Sequence, residues 1–173
     1  MISRSGVHPD SRLLDVGGGD STLVDDLVRD GFSDVTVLDI ASSAIERAKY
    51  RLGNASTKIT WIESDILHAP LRNDSYDVWH DRAVFHFFIN EKARREYVSR
   101  AKSALKSGAH LILATFAADG PERCSGLPTM RYSPQTLAYE VGEYFTLVES
   151  QPETHKTPQG KEQHFIYCRF RRR

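Results

Sequence analysis

Cysteine is scarce in this chain. Cys124 and Cys168 are the only two among 173 residues, and neither stands in a CxxC or Cys/His ligand spacing. That excludes a disulfide framework and argues against a structural metal. Long apolar runs are missing as well. Nothing approaches the roughly 20 residues of a membrane-crossing helix, and Met1-Ile2-Ser3-Arg4-Ser5-Gly6 lacks the apolar core of a signal peptide. Neither charge sign is in excess, with Lys plus Arg and Asp plus Glu at 23 each, so no global field draws the chain to nucleic acid or to a membrane. The basic end, Arg169-Phe170-Arg171-Arg172-Arg173, reads as a solvated tail. Internal repeats and low-complexity segments are absent. A cytoplasmic protein is expected, without nucleic-acid, membrane or metal partners, and residues 1 to 173 are expected to form one domain.

What the chain does have is a repeated alternation of apolar runs and helical patterns. Residues 1 to 12 are polar and read as a loose lead-in. Leu13-Leu14-Asp15-Val16 is a buried strand that breaks into Gly17-Gly18-Gly19. Leu23, Val24, Leu27 and Val28 then lie on one face of a helix closed by Gly31. Val35 to Ile40 is a second strand, and Ser43-Ala44-Ile45-Glu46 has the spacing of a capping box opening a helix that stops at Gly53. Ile59 to Asp65 is a third strand and Tyr76 to Asp81 a fourth, with turn residues between them. A long helix runs from about Glu91 to Lys106, with Gly108 beyond its end, and His110 to Phe116 is a fifth strand. Four such alternations imply right-handed βαβ units and a mostly parallel sheet covered by helices on both faces, an α/β fold.

The pattern changes after Ala117. Residues 118 to 132 hold too many breakers for a helix or strand. They leave the carboxyl end of a parallel strand, which predicts a lid or substrate loop. Ser133-Pro134 caps a short helix ending at Gly142. Two final strands, Tyr144 to Glu149 and His164 to Phe170, are joined by a polar stretch without a helix, which suits an antiparallel hairpin.

The glycine turn is the ligand-binding candidate, because consecutive glycines permit positive φ and close approach to the main chain. A dinucleotide fingerprint needs a glycine where Thr22 stands. Asp15 and Asp20 flank the turn, and two carboxylates would repel a pyrophosphate but suit a cationic ligand without phosphate. A nicotinamide oxidoreductase is disfavoured on both grounds. Asp39, at the end of the second strand, can accept hydrogen bonds from both hydroxyls of a ribose. Asp65 is set to meet an adenine amino group while Ile40 and Ile66 sandwich the ring. Taken singly, acids after strands are as well explained as helix caps or turn formers; three at successive strand ends favour a nucleoside site.

Asp15-Val16-Gly17-Gly18-Gly19, Asp39, Ser64-Asp65-Ile66 and the Leu105 to Leu111 lead into strand five together resemble the class I S-adenosylmethionine-dependent methyltransferases, in order from about residue 11 to 171. The resemblance implies a Rossmann-like seven-stranded sheet in the order 3-2-1-4-5-7-6, with strand seven antiparallel. It also implies S-adenosylmethionine across the carboxyl ends of strands one to four, leaving S-adenosylhomocysteine after transfer. Asp15, Gly17, Gly18, Gly19 and Asp20 would frame its methionine portion, Asp39 the ribose, Asp65 and Ile66 the adenine with Ile40 on the other face of the ring, and Asp81, Arg82 and Ala83 the floor near the sulfonium. The chain departs from the family at Ser21, where a glycine is usual, and in having no room for helices ahead of strand one. Either the site is open, or a partner or second copy covers it, or the chain is a trimmed form of a longer protein.

Methyl transfer from a sulfonium is an in-line displacement in which the protein mainly aligns the acceptor and excludes water. A base helps when the acceptor is a hydroxyl or thiol. His86, Asp81 and Cys124 are the catalytic candidates. Their competing readings are an interior hydrogen-bonded histidine and a small turn residue, and the rings of Phe85, Phe87 and Phe88 read first as core packing. A small-molecule acceptor is expected. A protein methyltransferase and a cofactor-binding module without catalysis stay open beside it.

Overall fold

The computed structural model describes residues 1–157 and 160–173. Its main sheet contains β1 (Arg12–Val16), β2 (Asp34–Asp39), β3 (Thr60–Glu63), β4 (Tyr76–Arg82), β5 (Leu105–Phe116), β6 (Phe145–Lys156) and β7 (Glu162–Arg172). Four helices accompany them: α1 (Leu23–Arg29), α2 (Ser42–Leu52), α3 (Glu91–Ala104) and α4 (Pro134–Val141). The strand order is β3-β2-β1-β4-β5-β7-β6. β1 to β5 pair in parallel, and β7 runs antiparallel to both of its neighbours. This is the expected Rossmann-like α/β sheet.

Neighbouring strand residues point to opposite faces, and here both faces are apolar. Leu13, Val35, Val37, Val78 and Ile112 pack with Val24 and Leu27 of α1. Leu14, Leu38, Trp79, Leu111 and Leu113 pack on the other side with Tyr97, Val98 and Ala101 of α3 and Leu137 of α4. That double burial is why the strands read as continuous apolar runs and not as alternating ones. Each fully buried large side chain contributes roughly 1.5–3 kcal/mol.

Several local expectations need correction. α2 has no capping box: it starts one residue earlier, behind Ala41, and no side chain caps it. The Ala41 amide is taken instead by Asp39 Oδ1 at 2.8 Å. α3 ends at Ala104 and passes directly into β5, so Gly108 lies inside that strand at φ 78° and does not stop a helix. The lead-in is not loose, because Ile2–Arg4 form a 3-10 turn and Met1, Ile2 and Val7 pack on the α1 side of the core. Within 118 to 132, Arg123–Cys124 pairs with Leu127–Pro128 as a small ribbon. Its tight turn uses positive φ at Ser125 and Gly126, as a two-residue hairpin requires.

β6 and β7 are far longer than their apolar pattern predicts. Pairing runs unbroken from Ser150–Cys168 to Lys156–Glu162, through the stretch read as a polar connection; Pro158 and Gln159 of that stretch lie outside the described residues. Residues 150 to 154 and 156 are exposed, so backbone hydrogen bonds hold the ribbon and apolar periodicity carries no trace of it.

Candidate functional site

β1 ends under the glycine turn, and all three glycines are closed in by neighbours from different elements. Gly17 has φ 72°, and a Cβ there would lie 2.2 Å from Val84 Cγ2. On Gly18 it would lie 2.3 Å from Asp15 Oδ2, and on Gly19 2.7 Å from Ala44 Cβ and 2.8 Å from Asp39 Oδ2. No side chain fits at any of the three without displacing its neighbours; Gly18 and Gly19 are buried in this packing, and Gly17 reaches the cavity described next. The Gly19 amide donates to Asp39 Oδ2 at 3.0 Å. With Ala41 on the other oxygen, the Asp39 carboxylate is fixed beside the turn.

A cavity of about 1130 Å³ opens from this turn. Its lining includes Gly17, Asp20 and Asp39, the paired Asp15 and His80, and a group formed by Arg82, Glu153, His155 and Tyr167. Leu23, Leu27, Phe32 and Ile112 give it an apolar side. Asp15 and His80 are register partners on β1 and β4. The His80 Nδ1 stands 2.7 Å from Asp15 Oδ1, and Asp15 is only 3% exposed. Its Oδ2 has no hydrogen-bond partner among the described residues.

Of the expected binding residues, Asp15, Gly17, Asp20, Asp39 and Arg82 share this cavity. Asp20 brings less free charge than its position suggests: Arg47 binds it through two bonds of 2.8 and 2.6 Å and holds its carboxyl below the usual range. Asp65 stands at the end of β3, next to Asp39, whose carbonyl accepts the Ser64 amide at 3.0 Å. One Asp65 oxygen accepts the Leu67 amide at 2.8 Å, the turn-forming use that the blander reading gave it. Ile40 is 72% exposed, whereas Ile66 is buried with Leu38 in the core. The two isoleucine side chains thus do not face one another across an open slot, and neither they nor Asp65 line the cavity.

Asp81 does not face the cavity. Strand alternation turns His80 and Arg82 to the α1 side and Asp81 to the α3 side, where it is fully buried. Its Oδ1 accepts the Val84 amide at 2.9 Å, its Oδ2 the Phe85 amide at 3.0 Å, and the Tyr97 hydroxyl also donates to Oδ2. Trp79 Nε1 donates to that same hydroxyl at 2.8 Å. Burial raises the Asp81 carboxyl to about 6, against the pull of these donors. The residue positions the turn that carries Ala83, at φ 69°, and Val84 against Gly17.

His86 is likewise buried, with ring centroids 4.5 Å from Phe116 and 4.6 Å from Phe87. Desolvation, and after it the charge of Arg82, lowers its pKa to about 4. Its Nδ1 lies 3.4 Å from the Phe116 amide, which makes that nitrogen the acceptor and leaves the proton on Nε2, without a partner among the described residues. The ring at neutral pH is a donor, not the base expected from its position. The predicted loop covers it, with the Met130 amide donating to the His86 carbonyl at 2.8 Å and the Tyr132 amide to the Phe116 carbonyl at 2.9 Å. Cys124 is half-buried against Ala83, Phe116, Phe165 and Tyr167 and does not line the cavity.

Sequence reasoning missed Glu153, His155 and Tyr167 at the cavity. They come from the polar ribbon, whose place depends on long-range pairing, and no local signal marks them. Among the described residues no group of His, Cys, Asp and Glu could hold a metal ion, and no helix is long and apolar enough to cross a membrane.

The comparisons agree with this geometry. A family model described as a methyltransferase domain matches residues 13–108. Malonyl-[acyl-carrier protein] O-methyltransferase of Anoxybacillus flavithermus is 32% identical over 112 residues, covering 64% of this chain and 40% of that protein. Ubiquinone biosynthesis O-methyltransferase of Vibrio cholerae is 37% identical over 68 residues, 39% of this chain and 27% of that one. The chain thus spans less than half the length of these curated relatives. Among solved structures, a SAM-dependent methyltransferase of Methanosarcina mazei superposes with a TM-score of 0.81 at 17% identity, covering 99% of this chain and 96% of the other. The 1,6-didemethyltoxoflavin-N1-methyltransferase of Burkholderia thailandensis, with bound S-adenosylhomocysteine, gives 0.76 at 19% identity, covering 94% and 71%. The fold, the closed-in glycine turn and a family match over more than half of the chain agree: this protein belongs to the methyltransferase-domain family.

Proposed function

We propose that this chain binds S-adenosylmethionine and moves its methyl group to a small-molecule acceptor, leaving S-adenosylhomocysteine. The observation that carries this reading is the glycine cradle, three positions at which any Cβ would collide, fixed to the Asp39 carboxylate by the Gly19 amide. Asp39 would hold the ribose hydroxyls, Asp65 and the Ile66 backbone the adenine, and Gly17 to Gly19 with Asp15 the amino-acid end. The bound cofactor supplies an electrophilic methyl on a sulfonium. The chain's own part is alignment and exclusion of water, with Asp81 fixing the turn beside Gly17 and the 118 to 132 segment closing over His86. His86, buried beneath the 118 to 132 segment and off the cavity lining, holds that segment through the Met130 amide bond to its carbonyl and takes no proton from the acceptor. The fit to small-molecule methyltransferases favours a small acceptor over a protein side chain, and a cytoplasmic location is part of the same reading.

Isothermal calorimetry tests it. S-adenosylhomocysteine is expected to bind the wild-type protein, and Asp39→Ala to lower the affinity at least about tenfold, the loss of bonds to a charged group. Unchanged affinity in Asp39→Ala would remove Asp39 from the site.

A further inference from the structure

One group of lining residues has a chemistry of its own, Arg82 on β4 with Glu153, His155 and Tyr167 on the β6–β7 ribbon. Arg82 is held in place by two contacts. Its Nε donates to the Tyr167 hydroxyl at 2.8 Å, and its guanidinium carbon lies 4.8 Å from the centroid of the Phe165 ring. Glu153 approaches a terminal nitrogen at 4.0 Å, too far for a hydrogen bond, and its side chain is 46% exposed. The Arg82 charge also reaches His86, where it helps to keep the imidazole neutral. A guanidinium so fixed has lost its rotamer freedom before any ligand arrives and keeps terminal N–H groups for a forked contact. Its nearest counterion, Glu153, is held only by a long 3.5 Å bond from the Tyr167 hydroxyl and is half exposed, so an incoming anion can displace it.

We propose that Arg82 anchors an anionic group, a carboxylate or a phosphate, on the methyl acceptor, and that Glu153 is the counterion this group displaces. The inference rests on the methyl-transfer reading above and assigns the substrate class of the same cavity. Tyr167 and Phe165 are positioning residues for Arg82. A purely structural Arg82–Glu153 tie between β4 and the ribbon is the competing account, and the two accounts predict opposite consequences of neutralising Glu153. An anchor gains affinity for anions when its competitor is removed. A tie gains nothing and loosens.

The test titrates the full chain, with and without S-adenosylhomocysteine, with three probes: benzoate, inorganic phosphate and the neutral isostere benzamide. Benzoate or phosphate is expected to bind at least about tenfold more tightly than benzamide, the two anions separating a carboxylate acceptor from a phosphorylated one. Arg82→Gln is expected to abolish that preference, a loss of about 10- to 100-fold for a charge-assisted bond, and Arg82→Lys, which keeps the charge, to restore part of it. Glu153→Gln is expected to tighten anion binding several-fold, and it keeps the proposal testable if Arg82→Gln does not fold. Equal binding of benzoate, phosphate and benzamide, or weaker anion binding in Glu153→Gln, overturns the proposal. If the anion preference depends on Arg82 but S-adenosylhomocysteine does not bind the wild type, the anion site stands and the methyl-transfer reading fails.

Discussion

Across β1 and β4, His80 sits 2.7 Å from Asp15 and is the only side chain bonded to that buried carboxylate among the described residues. Taking a partner from a buried charged group leaves its desolvation uncompensated. His80→Ala is therefore expected to lower the unfolding free energy by about 2–3 kcal/mol, measured by urea denaturation. Asp15→Asn removes the charge and should cost less. Equal losses in the two variants would mean that the histidine is not offsetting charge.

The three blocked glycines predict a sharp contrast with a fourth. Gly18→Ala drives a methyl into Asp15 and should cost about 1–3 kcal/mol as an overpacked site, with loss of S-adenosylhomocysteine binding. Gly31 also has positive φ, 87°, but a Cβ there meets nothing within 4 Å. Gly31→Ala should lower the melting temperature through strain alone and leave calorimetric binding intact. Wild-type affinity in Gly18→Ala would sink the cradle.

Asp81 and His86 act on stability in opposite directions over one pH window. The buried Asp81 carboxyl rises from 3.8 to about 6, so its contribution is full below pH 3.8 and is lost as pH climbs to about 6. His86 falls from 6.5 to about 4, so its contribution is present above pH 6.5 and lost as pH drops toward 4. Each swing is on the order of 3 kcal/mol, and together they largely cancel between pH 4 and 6. Urea unfolding should find Asp81→Asn gaining stability with pH across that window and His86→Phe losing it. Parallel slopes in the two variants would contradict these burial effects.

The two thiols differ in reach. Cys168 is fully buried, and burial pushes its thiol up to about 12, whereas Cys124 is half-buried on the small ribbon. A thiol-specific reagent should modify one cysteine in the native protein and both in urea, with mass spectrometry assigning the native adduct to Cys124. Native labelling of Cys168 would mean that β7 opens readily.

Much of this fold was legible because parallel strands buried on both faces leave apolar runs, and because the glycines and acids stand at the ends of those runs. Strand alternation, read through β4, would also have told that His80 and Arg82 share a face that Asp81 does not. Other features had no local signal. Helix α3 runs into β5 because Leu105 is extended, and a capping-box spacing at Ser43 is idle because the helix already starts at Ser42 behind Ala41, which puts Ser43 inside it. The ribbon that completes the cavity is held by backbone bonds between polar residues far apart in sequence, so neither apolar period nor motif marks Glu153 or His155.

The tip of that ribbon is also a cantilever. β5 pairs with β7 as far as Phe165, and just beyond it the Ala117 amide donates to the His164 carbonyl at 2.9 Å and Asp119 meets the His164 ring at 2.8 Å; only His155 and Lys156, opposite Gln163 and Glu162, lie past these ties. Of the ribbon residues that line the cavity, Tyr167 and Glu153 stand where β7 is still paired with β5, and His155 alone stands on the two-stranded tip. Backbone amides of the tip should exchange with solvent long before those of β1 and β4. Motion of that tip can shift His155 while Glu153, Tyr167, the glycine turn and the carboxylates beside it stay where they are.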